Sequence, residues 1–137
     1  MAHDLKLSAT LANAMVNAVN AVINGGSVKH YTLGSGVPAS CSVAITDQVL
    51  LSTNPLNATA LASASSGIAA FNAITQDASI DATGTAAFFR VLDSGGTTHI
   101  QGLCDTASAD SNLSTLSFVA GSTMDITTSG ASTLSLG

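Results

Sequence analysis

The stretch Ala86-Ala87-Phe88-Phe89-Arg90-Val91-Leu92-Asp93-Ser94-Gly95-Gly96-Thr97-Thr98-His99-Ile100-Gln101-Gly102-Leu103-Cys104 decides the fold class. Its first limb carries aromatic, branched and aliphatic side chains that fit a pleated, half-buried surface. Asp93-Ser94-Gly95-Gly96 then supplies a turn whose glycines accept positive φ. The second limb, Thr97 to Cys104, returns as its partner. This is the strongest hairpin in the chain.

The same period of two extends in both directions. Downstream, Thr115 to Ala120 reads as a strand turned at Gly121-Ser122. Met124, Ile126 and Thr128 then alternate with Thr123, Asp125 and Thr127, and Ser132 to Leu136 is a last short strand. Upstream, Val28, His30 and Thr32 alternate with Lys29, Tyr31 and Leu33. Cys41, Val43 and Ile45 alternate with Ser40, Ser42, Ala44 and Thr46 as a half-buried strand. Val49-Leu50-Leu51 follows and is expected to stop at the turn signal Asn54-Pro55. Leu56 to Ser63 is a weaker strand or arm, Ile68 to Ile74 is another weak strand, and residues 76–84 read as loop.

Residues 8–24 break this pattern. Ser8 is a suitable N-cap, and Leu11, Met15, Ala18 and Val22 recur at i, i+4, i+7 and i+11. Ala12, Val16, Val19 and Ile23 form the adjacent row, while Asn13, Asn17, Asn20 and Asn24 line the other side. The reading is an amphipathic helix with its amide stripe toward solvent, a subunit contact being the other use of such a stripe. Asn24-Gly25-Gly26 ends it. With no helix between later strands to make crossovers, the expected fold is mainly β: an antiparallel, jelly-roll-like β-sandwich of about eight strands with one N-terminal helix. One domain spans residues 1–137, with the helix at 8–24 and the sandwich at 27–137.

Composition bounds the function. Of 137 residues only 8 % are Asp, Glu, Lys or Arg, against roughly a quarter in an average soluble protein. Glu and Trp are absent, and Ser and Thr supply roughly a quarter of the chain. A net charge of -5, with cations only at Lys6, Lys29 and Arg90, provides no patch to displace counterions from nucleic acid. A weakly charged, hydroxylated surface suits a protein packed against copies of itself or a scaffold; a soluble extracellular domain is the blander alternative. The N-terminus places Asp4 where a secretory signal would be basic, and asparagines interrupt the apolar segment that follows. Neither a leader nor a membrane span of about 20 apolar residues is expected.

Candidates for chemistry are few. His3, His30 and His99 lack any metal-site or metalloprotease spacing. A nucleophilic pairing of Cys104 with His99 or His30 has no nucleophile elbow or oxyanion signature to support it. Asp77 with Asp81, and Asp105 with Asp110, share loops that do not follow the calcium-loop pattern. No catalytic, metal or cofactor-binding residue is expected. Cys41 and Cys104 are either two free thiols or a crosslink, within the chain or between subunits.

Asn72-Ala73-Ile74-Thr75, then Asp81-Ala82-Thr83-Gly84-Thr85-Ala86, then Phe89 to Gly96, resemble a family of short virion structural proteins of tailed bacteriophages. Ala109-Asp110-Ser111-Asn112-Leu113 and Ser117 to Ser122 share the resemblance, as does the opening helix Leu11-Ala12-Asn13-Ala14-Met15 followed by Tyr31-Thr32-Leu33-Gly34. It covers nearly the whole chain through turn and core patterns. It departs at Leu33-Gly34-Ser35-Gly36-Val37-Pro38, where such proteins continue into a Gly-Thr turn and Pro, and Cys41 and Cys104 are peculiar to this chain. The resemblance implies a virion component made in the host cytoplasm, with no cofactor. Its implied partners are other virion proteins and copies of itself, without nucleic acid or membrane. The implied role is capsid decoration or cement, or alternatively a neck or collar protein. A surface-displayed module binding glycans weakly is the rival from another class.

Overall fold

The computed structural model describes residues 5–126 and the backbone of Thr133–Ser135. Ser8 caps helix α1 (Ala9–Ile23), its hydroxyl accepting from Leu11 N–H at 3.1 Å. The helix ends at Asn24, where Gly25 takes a φ of 65°. Gly26 then passes so close to the strand ending at Leu92 that a Cβ there would collide with the Leu92 carbonyl.

Five strands form the main sheet: β1 (Ser27–Tyr31), β2 (Leu50–Pro55), β5 (Phe88–Leu92), β6 (Thr98–Asp105) and β7 (Ser111–Asn112). Their order is β2-β1-β5-β6-β7. All pairs are antiparallel except the short parallel β6–β7 ladder. The hairpin that decided the fold class is β5–β6, with Arg90 opposite Gln101 and Phe89 opposite Gly102. Two further ladders are only two or three residues long: β3 (Ile68–Ala70) with β9 (Thr133–Ser135), and β4 (Gly84–Thr85) with β8 (Ser117–Phe118). The chain is therefore mainly β with one N-terminal helix, as its periodicities predict. The second layer is built from short ladders and bridged loops, because its Ala-, Ser- and Gly-rich segments offer few branched side chains to sustain long strands.

The sheet's inner face carries Val28, Val91, Cys104 and the bulge residue Leu51 into a core shared with Val16 and Ile23 of α1, and with Leu61, Ile74, Leu113 and Phe118. On the outer face Tyr31 stacks on Phe88 at a centroid distance of 5.2 Å. The loop of residues 33–48 crosses this face. Arg90 donates to the carbonyls of Val43 at 2.7 Å and Ser40 at 3.3 Å, and Gln101 donates to Pro38 at 2.7 Å. Gln48 fastens the loop from within by donating to the Gly36 carbonyl.

Three strand expectations need correction. Residues 40–46 form turns and bends instead of a strand. β1 is already paired on both sides, so that segment has no adjacent edge and lies across the sheet face. β2 runs through Asn54-Pro55 instead of stopping there. Its outer edge is met by residues 75–81: Thr75 N–H reaches Pro55 O, Asp81 N–H reaches Leu51 O, and Thr53 N–H reaches the Asp77 carboxylate. An edge strand tolerates proline. The Thr115–Ala120 strand shortens to Ser117–Phe118. The expected alternation through Thr127 and Thr128 runs beyond the described residues.

Candidate functional site: an exposed helix face and an asparagine-clamped hairpin

Residues 60–72 form a small hairpin under α1. Its turn is Ser66-Gly67, with φ of 52° and 76°, closed by reciprocal backbone bonds between Ser65 and Ile68. Positive φ at both central residues is the signature of a type I′ turn. Gly67 also touches the helix, since a Cβ there would stand 2.9 Å from Ala12 Cβ.

The amide stripe holds this hairpin. Asn13 Oδ1 accepts from Gly67 N–H, Asn20 Oδ1 from Leu61 N–H and Asn24 Oδ1 from Ala60 N–H, each at 2.8 Å. Buried backbone donors need partners, and these three carboxamides supply them where no strand does. The expectation that the asparagines face solvent is thus overturned for three of the four; Asn17 alone is exposed.

Turning the amide stripe inward rotates the apolar stripe outward. Ala12, Val16 and Ile23 are buried, but Leu11, Met15 and Val22 are 50 %, 41 % and 46 % exposed. Ala14, Ala18 and Ala21 beside them are exposed as well. Between the C-terminal half of this face and β6 lies an apolar groove of about 290 Å³, lined by Ala18, Val19, Val22, Ile23, His99 and Ile100. The helix Ala9–Ile23 contains no ionisable residue. Leu33, Val43 and Val49 are exposed around the outer loop.

The candidates for chemistry occupy structural positions. His30 is wholly buried on β1, its Nδ1 3.0 Å from the Ser52 hydroxyl on β2 and its ring 5.7 Å from that of Phe118. Its Nε2 has no hydrogen-bond partner. Burial pushes its pKa down to about 4. A Ser–His pair is thus present, unforeseen from the sequence, yet both side chains are sealed from any substrate. His99 bonds Asp93 at 2.9 Å across the β5–β6 turn, and that bond is the largest cause holding the Asp93 carboxyl below its ordinary range. His3 lies outside the described residues.

Asp77 and Asp110 serve backbone. Asp77 accepts from Thr53 and Ser79, and Asp110 from Leu103. Among the described residues no group of three or more His, Cys, Asp or Glu could hold a metal ion. No described helix is long and apolar enough to cross a membrane.

Cys41 and Cys104 are free thiols, so of the alternatives left open by the sequence the crosslink within the chain is not formed. Gln101 and Cys104 are three residues apart on one strand and so face opposite sides of the sheet. Gln101 binds the loop that carries Cys41, whereas Cys104 belongs to the core on the other side. The sheet separates the two sulfurs. Burial, with a smaller push from the Asp110 charge, raises the Cys104 thiol to about 12, so it stays protonated and unreactive.

Neither a family model, nor a curated protein, nor a solved structure is significantly similar to this chain.

Proposed function

We propose that this protein is a non-enzymatic structural component of a tailed-bacteriophage particle, a decoration or cement protein of the capsid that stabilises the shell through subunit contacts. The observation that carries the reading is the combination of a weakly charged surface with exposed apolar side chains on the helix, on the outer loop and at Val49. A free monomer keeps charge on its surface for colloidal stability, whereas a protein that is normally covered needs less. Many copies of a small neutral contact add up to a large total. The motif resemblance at residues 72–96 and 109–122 supports the same reading.

The aromatic side chains serve the interior. Tyr31, Phe88 and Phe118 are buried, and Phe71 and Phe89 are half-buried against the core. A glycan-binding module needs an exposed stacking platform, so that reading receives less support.

The test is to locate the chain in purified particles by cryo-electron microscopy. Hundreds of copies on the icosahedral shell are expected. A ring of about a dozen at the portal vertex would instead establish a neck or collar role. Absence from the particle would overturn the structural reading.

A further inference from the structure

Asn24-Gly25 is the only Asn-Gly pair in the chain. Such a pair is chemically self-reactive, because glycine has no Cβ to hinder the approach of its own nitrogen to the preceding side chain. The Gly25 nitrogen gives up its proton and attacks Cγ of the Asn24 carboxamide. The new N–Cγ bond closes a succinimide ring, and the carboxamide nitrogen leaves as ammonia. Water then opens the ring at one of its two carbonyls. The products are aspartate and isoaspartate, in which the main chain runs through the former side chain.

The fold holds both reacting groups away from that geometry. Asn24 is the C-cap of α1, with ψ of 130°. Ring closure needs the Gly25 nitrogen eclipsed with Asn24 Cβ about the Cα–C bond, and at this ψ the two stand far apart. The carboxamide is anchored, its Oδ1 accepting from Ala60 N–H at 2.8 Å. The nucleophile is anchored as well, since Gly25 N–H donates to the Asn57 carbonyl at 3.0 Å. Gly26 O accepts from Leu56 N–H at 2.9 Å, so residues 24, 25 and 26 are each tied to the segment 56–60. Solvent is not what is missing: Gly25 is exposed and Asn24 half-buried.

We propose that Asn24-Gly25 is a latent self-modification site, silent while the helix end is clasped to residues 56–60 and converted to aspartate and isoaspartate when that junction opens. The two products differ in what they do to the clasp. Aspartate keeps a side-chain oxygen that can accept from Ala60 N–H. Isoaspartate inserts a methylene into the main chain between residues 24 and 25, which puts the ties to Ala60, Asn57 and Leu56 out of step with one another. An opening that ends in ring closure is therefore irreversible, and the junction accumulates a chemical record of its own openings. This inference stands apart from the virion reading, because it is tested on the isolated protein.

The full chain would be aged at pH 8, folded in buffer and unfolded in urea. Trypsin cuts after Lys6 and Lys29, which places Asn24 in the peptide Leu7–Lys29. Fragmentation mass spectrometry then reads the exchange of its carboxamide for a carboxyl, and enzymatic methylation of isoaspartate reads the rerouted main chain. Asn24 is expected to convert at least about tenfold faster in the unfolded chain, because the folded chain reacts only through its opened fraction. Asn20→Ala removes the neighbouring acceptor, that of Leu61 N–H, and should speed conversion several-fold while circular dichroism shows the fold intact. Hydrogen exchange at Ala60 in the wild type is a readout independent of that variant: its protection should match the ratio of the two conversion rates. Equal rates in the folded and unfolded chain overturn the proposal, as does a folded Asn20→Ala that converts no faster than wild type. Ala60 protection more than tenfold above the rate ratio would mean that conversion proceeds with the clasp closed, and equally overturns it. In urea, Gly25→Ala should slow conversion; an unchanged rate there would exclude ring closure by the residue-25 nitrogen and with it the proposal.

Discussion

His30 on β1 faces Ser52 on β2 across a buried 3.0 Å hydrogen bond, and this pair sits where the sheet meets the Phe118 ring. The ring is neutral in the folded protein because burial removes the hydration its cation needs. Its folded pKa of about 4 lies below the ordinary 6.5. Between those values the unfolded chain binds a proton that the folded chain does not, so stability falls as pH falls through that window. A difference of this size is worth about 3 kcal/mol. Urea unfolding at fixed protein concentration should show full stability above pH 6.5 and most of that loss by pH 4.5. In His30→Leu this part of the pH dependence should disappear. An unchanged slope in that variant would mean another group is responsible.

The asparagine clamp predicts a gradient along one helix. Asn20→Ala and Asn24→Ala each leave a hairpin N–H without its acceptor, at Leu61 and Ala60 respectively. Each should lower stability by about 1–2 kcal/mol, the range for an unsatisfied donor. Asn17 is exposed, so Asn17→Ala should be neutral within about 0.5 kcal/mol, or slightly stabilising through better helix propensity. Equal effects at all four asparagines, measured as shifts in the urea midpoint, would contradict the clamp.

Those asparagines also show where sequence reading stops. The helix limits, its Ser8 cap and its Asn24-Gly25 end were legible because capping is local chemistry. The β5–β6 hairpin was legible because its alternation and its Gly95-Gly96 turn agree. Which way the helix faces was not legible. A carboxamide is equally content with water or with a backbone donor, and the donors at Ala60, Leu61 and Gly67 lie more than thirty-five residues away in sequence. The same holds for residues 40–46. Their period of two fits a strand, but whether a free edge exists to receive it is a property of the whole sheet.

Gly67 offers a sharper test of the helix–hairpin junction. Its φ of 76° disfavours any L side chain, and an added Cβ would press on Ala12 at 2.9 Å. Gly67→Ala should destabilise by about 1–3 kcal/mol, combining backbone strain with overpacking. Gly121 is also at positive φ, 81°, but a Cβ there meets nothing within 4 Å. Gly121→Ala should therefore lose less, and the difference between the two thermal midpoints reports the contact itself.

The two thiols should differ in reactivity. Cys41 is partly exposed on the outer loop, whereas Cys104 is buried with its pKa raised to about 12. A disulfide reagent at pH 8 should modify Cys41 in the native protein and reach Cys104 only after denaturant is added. Mass spectrometry of the labelled peptides would distinguish them. Equal labelling rates would remove Cys104 from the core.

Arg90 connects this loop to the sheet and supplies the last test. Its guanidinium is buried, bound to the Gln101 side chain at 2.9 Å and to the carbonyls of Ser40 and Val43. Arg90→Met keeps an unbranched, apolar stem over the sheet but removes every one of these donors. The loop carbonyls must then return to water, and the loss of charge-assisted bonds amounts to about 2–3 kcal/mol. Two consequences follow from which face the loop covers. Cys41 labelling should accelerate several-fold in Arg90→Met, because the loop that carries it is released. Cys104 labelling should remain slow, because Arg90 points away from the core that shields it. If both thiols accelerate together, Arg90 is holding the sheet rather than the loop, and the division of labour between the two faces is wrong.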